Sequence, residues 1–215
     1  MSKLPPVEYL KVDAEISADE LYRYTLSRVW DETLPVLVFT MLNPSKAAAR
    51  DARGRPIDDP TIRKCVGFAR RLGYGGILVV NLFAWRSTAA SGLRGPADPV
   101  GPKNYLAIMN CIKGRDVIAA WGVHVRDAAW MRERARAVLA TLRDHAKSVS
   151  ALTITDDGIP CHPLMLAYAL SPVPFGSVFE RVPPPAGRVA GRKAARFVEE
   201  SIRGGFASVE DFTDG

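Results

Sequence analysis

The chain lacks most of the features that would assign it a class at once. Its cysteines, Cys65, Cys111 and Cys161, are odd in number and widely spaced, which excludes a disulfide framework and a paired metal-ligand motif. No apolar run approaches the roughly 18–20 residues that span a bilayer, so no membrane partner is expected. The opening MSKLPPVEYL has no apolar stretch ahead of a small-residue cleavage site. A secretory leader is therefore not expected, and a cytoplasmic location is. Internal repeats are missing. No Ser–His–Asp set or metal cluster has enough support in the sequence to be named, and no cofactor is expected. An acidic excess is lacking too: the net charge is +6 and the pI about 9.4, which suits an anionic partner.

What remains is an ordinary globular composition, 47% apolar and 24% charged over 215 residues, enough for one core. The expected domain is 1–176. Residues 177–215 read as a Pro-rich linker, RVPPPAGRVAGRK, followed by a small peripheral helix over Arg192–Arg203. The positive charge is concentrated. Between Lys46 and Arg71 stand eight basic residues against three acidic ones, and Lys46, Arg50, Arg53 and Arg55 are the candidate phosphate contacts. A second basic stretch, Arg126–Lys147, reads as a solvated helix face.

Four short runs, Val36–Leu42, Ile77–Phe83, Val117–Trp121 and Ala151–Thr155, are apolar on both faces, as in buried parallel strands. Helical patterns lie between them. Thr61–Leu72 has Asp59 or Thr61 as cap, Pro60 in the first turn and Gly73 at its end. Lys103–Ile112 and Arg126–His145 follow. Leu21–Trp30, then a turn over Asp31–Pro35, reads as an N-terminal hairpin leading into the sheet. The expected fold is a three-layer α/β/α sandwich around a central four-stranded, mainly parallel sheet.

Ligands of such sheets sit beyond the carboxyl ends of the strands. There the sequence places Asn43-Pro44-Ser45, Asn81-Leu82-Phe83, Trp121-Gly122 and His162-Pro163-Leu164. Taken singly, each polar residue fits a turn or a loop. Jointly they suggest one site. His124 and His145 read as surface residues, and Trp121 and Trp130 as core.

In order and flanking residues the chain resembles the uracil-DNA glycosylase superfamily from Val36 to about Gly176. Leu42-Asn43-Pro44-Ser45 is similar to its first motif, Gly-x-Asn-Pro-Gly in one branch and Gly-Gln-Asp-Pro-Tyr-His in another. Gly67–Gly73 with Gly76–Asn81 resembles the helix and strand that deliver a base-reading asparagine. Ala119-Ala120-Trp121-Gly122 is similar to a Leu-Leu-Trp-Gly strand end, and His162-Pro163-Leu164 to the His-Pro-Ser-Pro loop. The chain also resembles a bacterial family known only as a domain of unknown function, through Tyr22-Arg23-Tyr24, Asp58-Asp59-Pro60-Thr61 and Val80-Asn81-Leu82-Phe83-Ala84.

The glycosylase resemblance implies a pocket for an extruded base. Asn81 would read the base edge, with Pro44, Ser45 and Phe83 around it. His162 would donate to the departing base, and Asn43 would hold the attacking water. Ser45 stands where a tyrosine excludes C5 substituents in the uracil-specific branch, which implies a C5-modified pyrimidine. The loop Lys46–Pro60 has no aromatic residue, leaving Phe83, Trp85 or Tyr168 to stack on the base. Leu166 and Tyr168 are candidates for a duplex wedge but read first as packing residues. Asp58 and Asp59 read as a helix cap and its neighbour, and in a second reading one of them replaces the carboxylate that Asn43 lacks. The implied function is a DNA-glycosylase-like hydrolase, with DNA ahead of RNA as partner and no obligate protein partner. The alternatives are a non-catalytic nucleic-acid-binding module and a hydrolase of free nucleosides or nucleotides.

Overall fold

A computed structural model describes residues 6–45, 48–50 and 56–176. Among them the strands are β1 (Lys11–Ile16), β2 (Arg23–Val29), β3 (Val36–Met41), β4 (Ala48–Arg50), β5 (Pro56–Ile57), β6 (Gly76–Asn81), β7 (Asp116–Ala119), β8 (Ser148–Ala151) and β9 (Val173–Pro174). The helices are α1 (Pro60–Arg71), α2 (Asn104–Ile112) and α3 (Ala129–His145). The main sheet runs β1-β2-β6-β3-β7-β8-β9, and β4 and β5 form a separate ribbon.

The four runs read as parallel strands are the centre of this sheet, with β6, β3, β7 and β8 mutually parallel. The sheet is nevertheless seven-stranded and mixed, because antiparallel strands extend both edges. The hairpin expected between Leu21–Trp30 and the first parallel strand does not form. The β2 strand pairs with β1 and β6 instead, and Gly75 fills the place between the two expected partners. It accepts from the Trp30 and Asp31 amides and donates to the Pro35 carbonyl. Strand β8 lies earlier than the run Ala151–Thr155, because Ser148–Val149 complete the register with β7. The residues after 176, including the expected linker and tail helix, lie outside the described residues.

Strand alternation divides the core into two layers. Leu37, Phe39, Met41, Ile77, Val79 and Ile118 meet the apolar stripe of α1, made of Ile62, Cys65, Val66, Phe68 and Ala69. Val38, Val80, Val117 and Ala119 meet α2 and α3 on the other face. Helices thus cover both faces of the sheet, as parallel strands require. Helix α1 is capped as its sequence suggests: the Asp59 carboxylate accepts from the Ile62 amide, and Gly73 has φ +82° just past the end. Helix α3 departs from a solvated face, since Arg132 and Arg134 are buried. Arg132 donates to the Arg126 carbonyl and Arg134 to that of Leu82.

The N-terminus of α1 is anchored by a buried cation. The Arg28 side chain, with no exposure, pairs with Asp58 at 2.8 Å, and its guanidinium also donates to the carbonyls of Ser27 and Ile57. Tyr9 donates to the other Asp58 oxygen at 2.6 Å. Removing one partner leaves a desolvated charge, so Asp58→Ala is expected to lower stability by about 3–5 kcal/mol in urea denaturation.

Candidate functional site

A cleft of about 680 Å³ opens beyond the carboxyl ends of β3, β6 and β7, and its lining includes Asn43, Ser45, Asn81 and His162. Residues separated by up to 119 positions in the chain therefore meet at one site. Arg23, Asp59, Trp121, Gly122 and the segment Ser87–Ser91 complete much of the wall.

Asn81 ends β6 and is 1% exposed. Its main chain is held from two sides. In front, the Leu82 and Phe83 amides donate to the carbonyls of Met41 and Leu42. Behind, Asn104 of α2 donates to the carbonyls of Asn81 and Leu82, and Arg134 of α3 to that of Leu82 at 2.9 Å. The side chain is treated differently. Neither Oδ1 nor Nδ2 has a hydrogen-bond partner among the described residues. A buried amide almost always has one, so this donor–acceptor pair stands unspent in the wall of the cleft.

Asn43 spends its Nδ2 on the Ser87 carbonyl at 2.7 Å and that of Pro44 at 3.3 Å. The Ser87 amide donates back to Pro44, which ties two walls of the cleft together. The Asn43 Oδ1 makes no hydrogen bond to the described residues and is left to accept. His162 caps a short 3-10 turn, its Nδ1 accepting from the Leu164 amide at 3.3 Å. In the neutral ring the proton therefore sits on Nε2, as a donor. Burial lowers the His162 pKa below its ordinary value, opposed by the charge of Asp59, which favours that neutral form. Gly122 packs beneath this loop. Its φ of +77° and ψ of −178° suit glycine alone, and a Cβ there would lie 3.0 Å from that of His162.

The charged residues of the cleft were not all legible from sequence. Arg23 is 3% exposed, and desolvation pulls its pKa down to about 10 against the opposing charge of Asp59. It remains a cation at neutral pH. Asp59 caps α1 through one oxygen and accepts from the Ser45 hydroxyl through the other. At the rim, His124 Nδ1 lies 3.1 Å from an Asp127 oxygen. Arg23 was visible only as the middle of Tyr22-Arg23-Tyr24, where nothing marks a buried cation.

Several expected site residues sit elsewhere. Phe83 is fully buried and packs edge-on against Trp130, so it belongs to the core. Pro44 is buried and shares its carbonyl between Asn43 and Ser87 without lining the cleft. Trp85 packs on Tyr22, and Tyr168 on Phe68 of α1. Among the described residues the aromatic in the lining is Trp121, read from sequence as core and indeed 1% exposed. Leu166 packs into the α1 layer, whereas Leu164 and Met165 stand at the cleft, 39% and 89% exposed. Lys46, Arg53 and Arg55 lie outside the described residues, and of Arg50 only the backbone in β4 is described. No group of three or more His, Cys, Asp or Glu fit to hold a metal occurs among the described residues, and no helix there is long and apolar enough to cross a membrane.

A family model described as "Protein of unknown function (DUF1643)" matches residues 23–164. The match runs from the buried arginine of the cleft to the loop that carries His162, enclosing every lining residue but Met165. No curated protein matches the chain, and no solved structure matches it.

Two measurements follow from this geometry. An unpaired buried amide costs about 1–3 kcal/mol, so Asn81→Leu is expected to raise the melting temperature of the unliganded protein. For His162, a folded pKa below the ordinary 6.5 means fewer bound protons than in the unfolded chain. Its contribution is complete above that value and is lost as pH falls through and below it. Wild type is expected to lose more stability than His162→Gln between about pH 7.5 and about pH 5.

Proposed function

The chain belongs to the DUF1643 family, described as one of unknown function, and from the cleft we propose that it is a DNA-glycosylase-like hydrolase that excises a pyrimidine base, C5-modified by preference, from DNA. The observation that carries this reading is the unpaired Asn81 amide, buried in the wall of a cleft large enough for a heterocycle. A neighbouring donor and acceptor on one rigid group match the N3–H and O4 of a uracil or thymine ring. The pinned main chain behind Asn81 means that little ordering remains to be done on binding.

Cleavage of the glycosidic bond leaves positive character on the sugar and negative charge on the departing base. Nε2–H of His162 donates to the O2 of that base, where the charge develops. A neutral ring with its proton fixed on Nε2 suits this role. Oδ1 of Asn43 accepts a hydrogen bond from the attacking water and orients it. Trp121, 1% exposed, closes the back of the cleft as apolar wall. Leu164 and Met165, apolar and exposed beside His162, suit contact with the gap left in a base stack. Lys46, Arg50, Arg53 and Arg55 are read as contacts to backbone phosphate. The uracil-DNA glycosylase resemblance is compatible with helices on both sheet faces and a site beyond the parallel strand ends.

The test is incubation of the full chain with single- and double-stranded oligonucleotides carrying uracil, mismatched thymine or C5-modified pyrimidines, reading alkali-labile abasic sites. Product is expected, and His162→Ala should reduce it about 10²–10³-fold, the usual effect of removing one such donor. Asn81→Ala should abolish it while leaving the fold intact. Salt-sensitive binding without product would instead identify a non-catalytic reader of nucleic acid. Cleavage confined to free nucleosides or nucleotides would identify the small-molecule hydrolase.

A further inference from the structure

We propose that Asp59, the residue that caps α1, is the catalytic carboxylate of this cleft: it faces the reacting sugar carbon and takes the proton of the attacking water, which Asn43 only holds. The proposal rests on the hydrolase reading above and adds the residue that reading lacks. An amide can orient water but cannot accept its proton at neutral pH, so hydrolysis led by Asn43 alone has no base.

Among the described residues the cleft lining holds two carboxylates, Asp59 and Asp127. Asp127 is at the rim, 45% exposed in its side chain and paired with His124. Asp59 is half-buried and held on both oxygens, by the Ile62 amide at 2.8 Å and by the Ser45 hydroxyl. An ionised carboxylate has about four acceptor sites, and these two bonds leave roughly half of them open. Both bonds orient the group without neutralising it. Ser45 is two residues from Asn43, so the base and the water-holding amide occupy the same wall.

Two further relations fit a charge at this position. Asp59 lines the same cleft as Arg23 and His162, and its charge acts on both. Its neighbour Asp58 carries the structural load through Arg28 and Tyr9, which leaves Asp59 available to the cleft.

Asp59 accepts a proton from water as the water oxygen bonds to C1′. The C1′–N bond breaks, its electron pair leaves with the base, and His162 donates a hydrogen bond to that anion. The proton then passes from Asp59 through solvent to the base, and the products are an abasic sugar and the free base.

The chemistry of the cap makes the test clean. Asparagine and serine cap helices about as well as aspartate, so Asp59→Asn and Asp59→Ser remove the charge while keeping the cap. Turnover of the oligonucleotide is expected to fall about 10²–10⁴-fold, with affinity for the free base unchanged. A protonated pyrrolidine analogue of deoxyribose, offered together with free base, should bind wild type about tenfold more tightly than either variant. Retention of turnover by a folded variant, or equal binding of the cationic analogue, would overturn the proposal. Wild type that binds base but cleaves nothing would leave the base pocket standing and sink the role given to Asp59. Wild type that binds no base at all would remove the hydrolase reading and this one together.

Discussion

The peptide at Asn81–Leu82 is the point on which the rest of the site depends. Parallel strands β3 and β6 bring it to the sheet edge, and α2 and α3 then grip its carbonyls from behind through Asn104 and Arg134. The polar capacity of the helices is spent on the main chain. The Asn81 side chain is consequently fixed in place and unsatisfied, an arrangement that costs folding free energy and has its compensation in recognition. Such local conflict between stability and binding is the usual mark of a functional position.

Two consecutive aspartates divide the work at the start of α1. Asp58 turns to the buried Arg28 and to Tyr9 and locks the helix to β2. Asp59 turns to Ser45 and the first helical turn and looks onto the cleft. Strand β2 supplies two buried arginines, Arg28 paired with Asp58 and Arg23 in the cleft lining with Asp59. Two adjacent carboxylates thus serve different ends, distinguished by which one reaches open space.

Much of this was legible in the sequence because it is local. Apolar runs marked the four parallel strands, and three- and four-residue spacing with Asp59, Pro60 and Gly73 marked α1. Asn43, Asn81 and His162 were legible as a set because parallel strands deliver their ends to one edge. Strand partnership was not, since β2 joins β6 rather than β3 through pairing that no local pattern encodes. Nor was the inward turn of Arg134, whose partner is a carbonyl contributed 52 residues earlier. Phe83 is a related case: it follows a strand as Trp121 does, and only tertiary packing turns its ring onto Trp130 and out of the cleft lining.

Tyr168 lies over Gly67 so closely that any Cβ there would meet its hydroxyl at 2.4 Å, and its ring is flanked by Lys64 at 4.0 Å and Arg71 at 4.1 Å. The segment leaving the histidine loop is thereby stapled to the same helix whose first turn Asp59 closes. The histidine loop, about a hundred residues from Asp59 in the chain, is thus gripped twice, by that helix through Tyr168 and by the strand ends, where the Gly122 amide donates to the Pro160 carbonyl and the Cys161 amide to that of Thr153. Acid and imidazole therefore keep their spacing to the asparagines through the scaffold alone, with no bound molecule needed to assemble them.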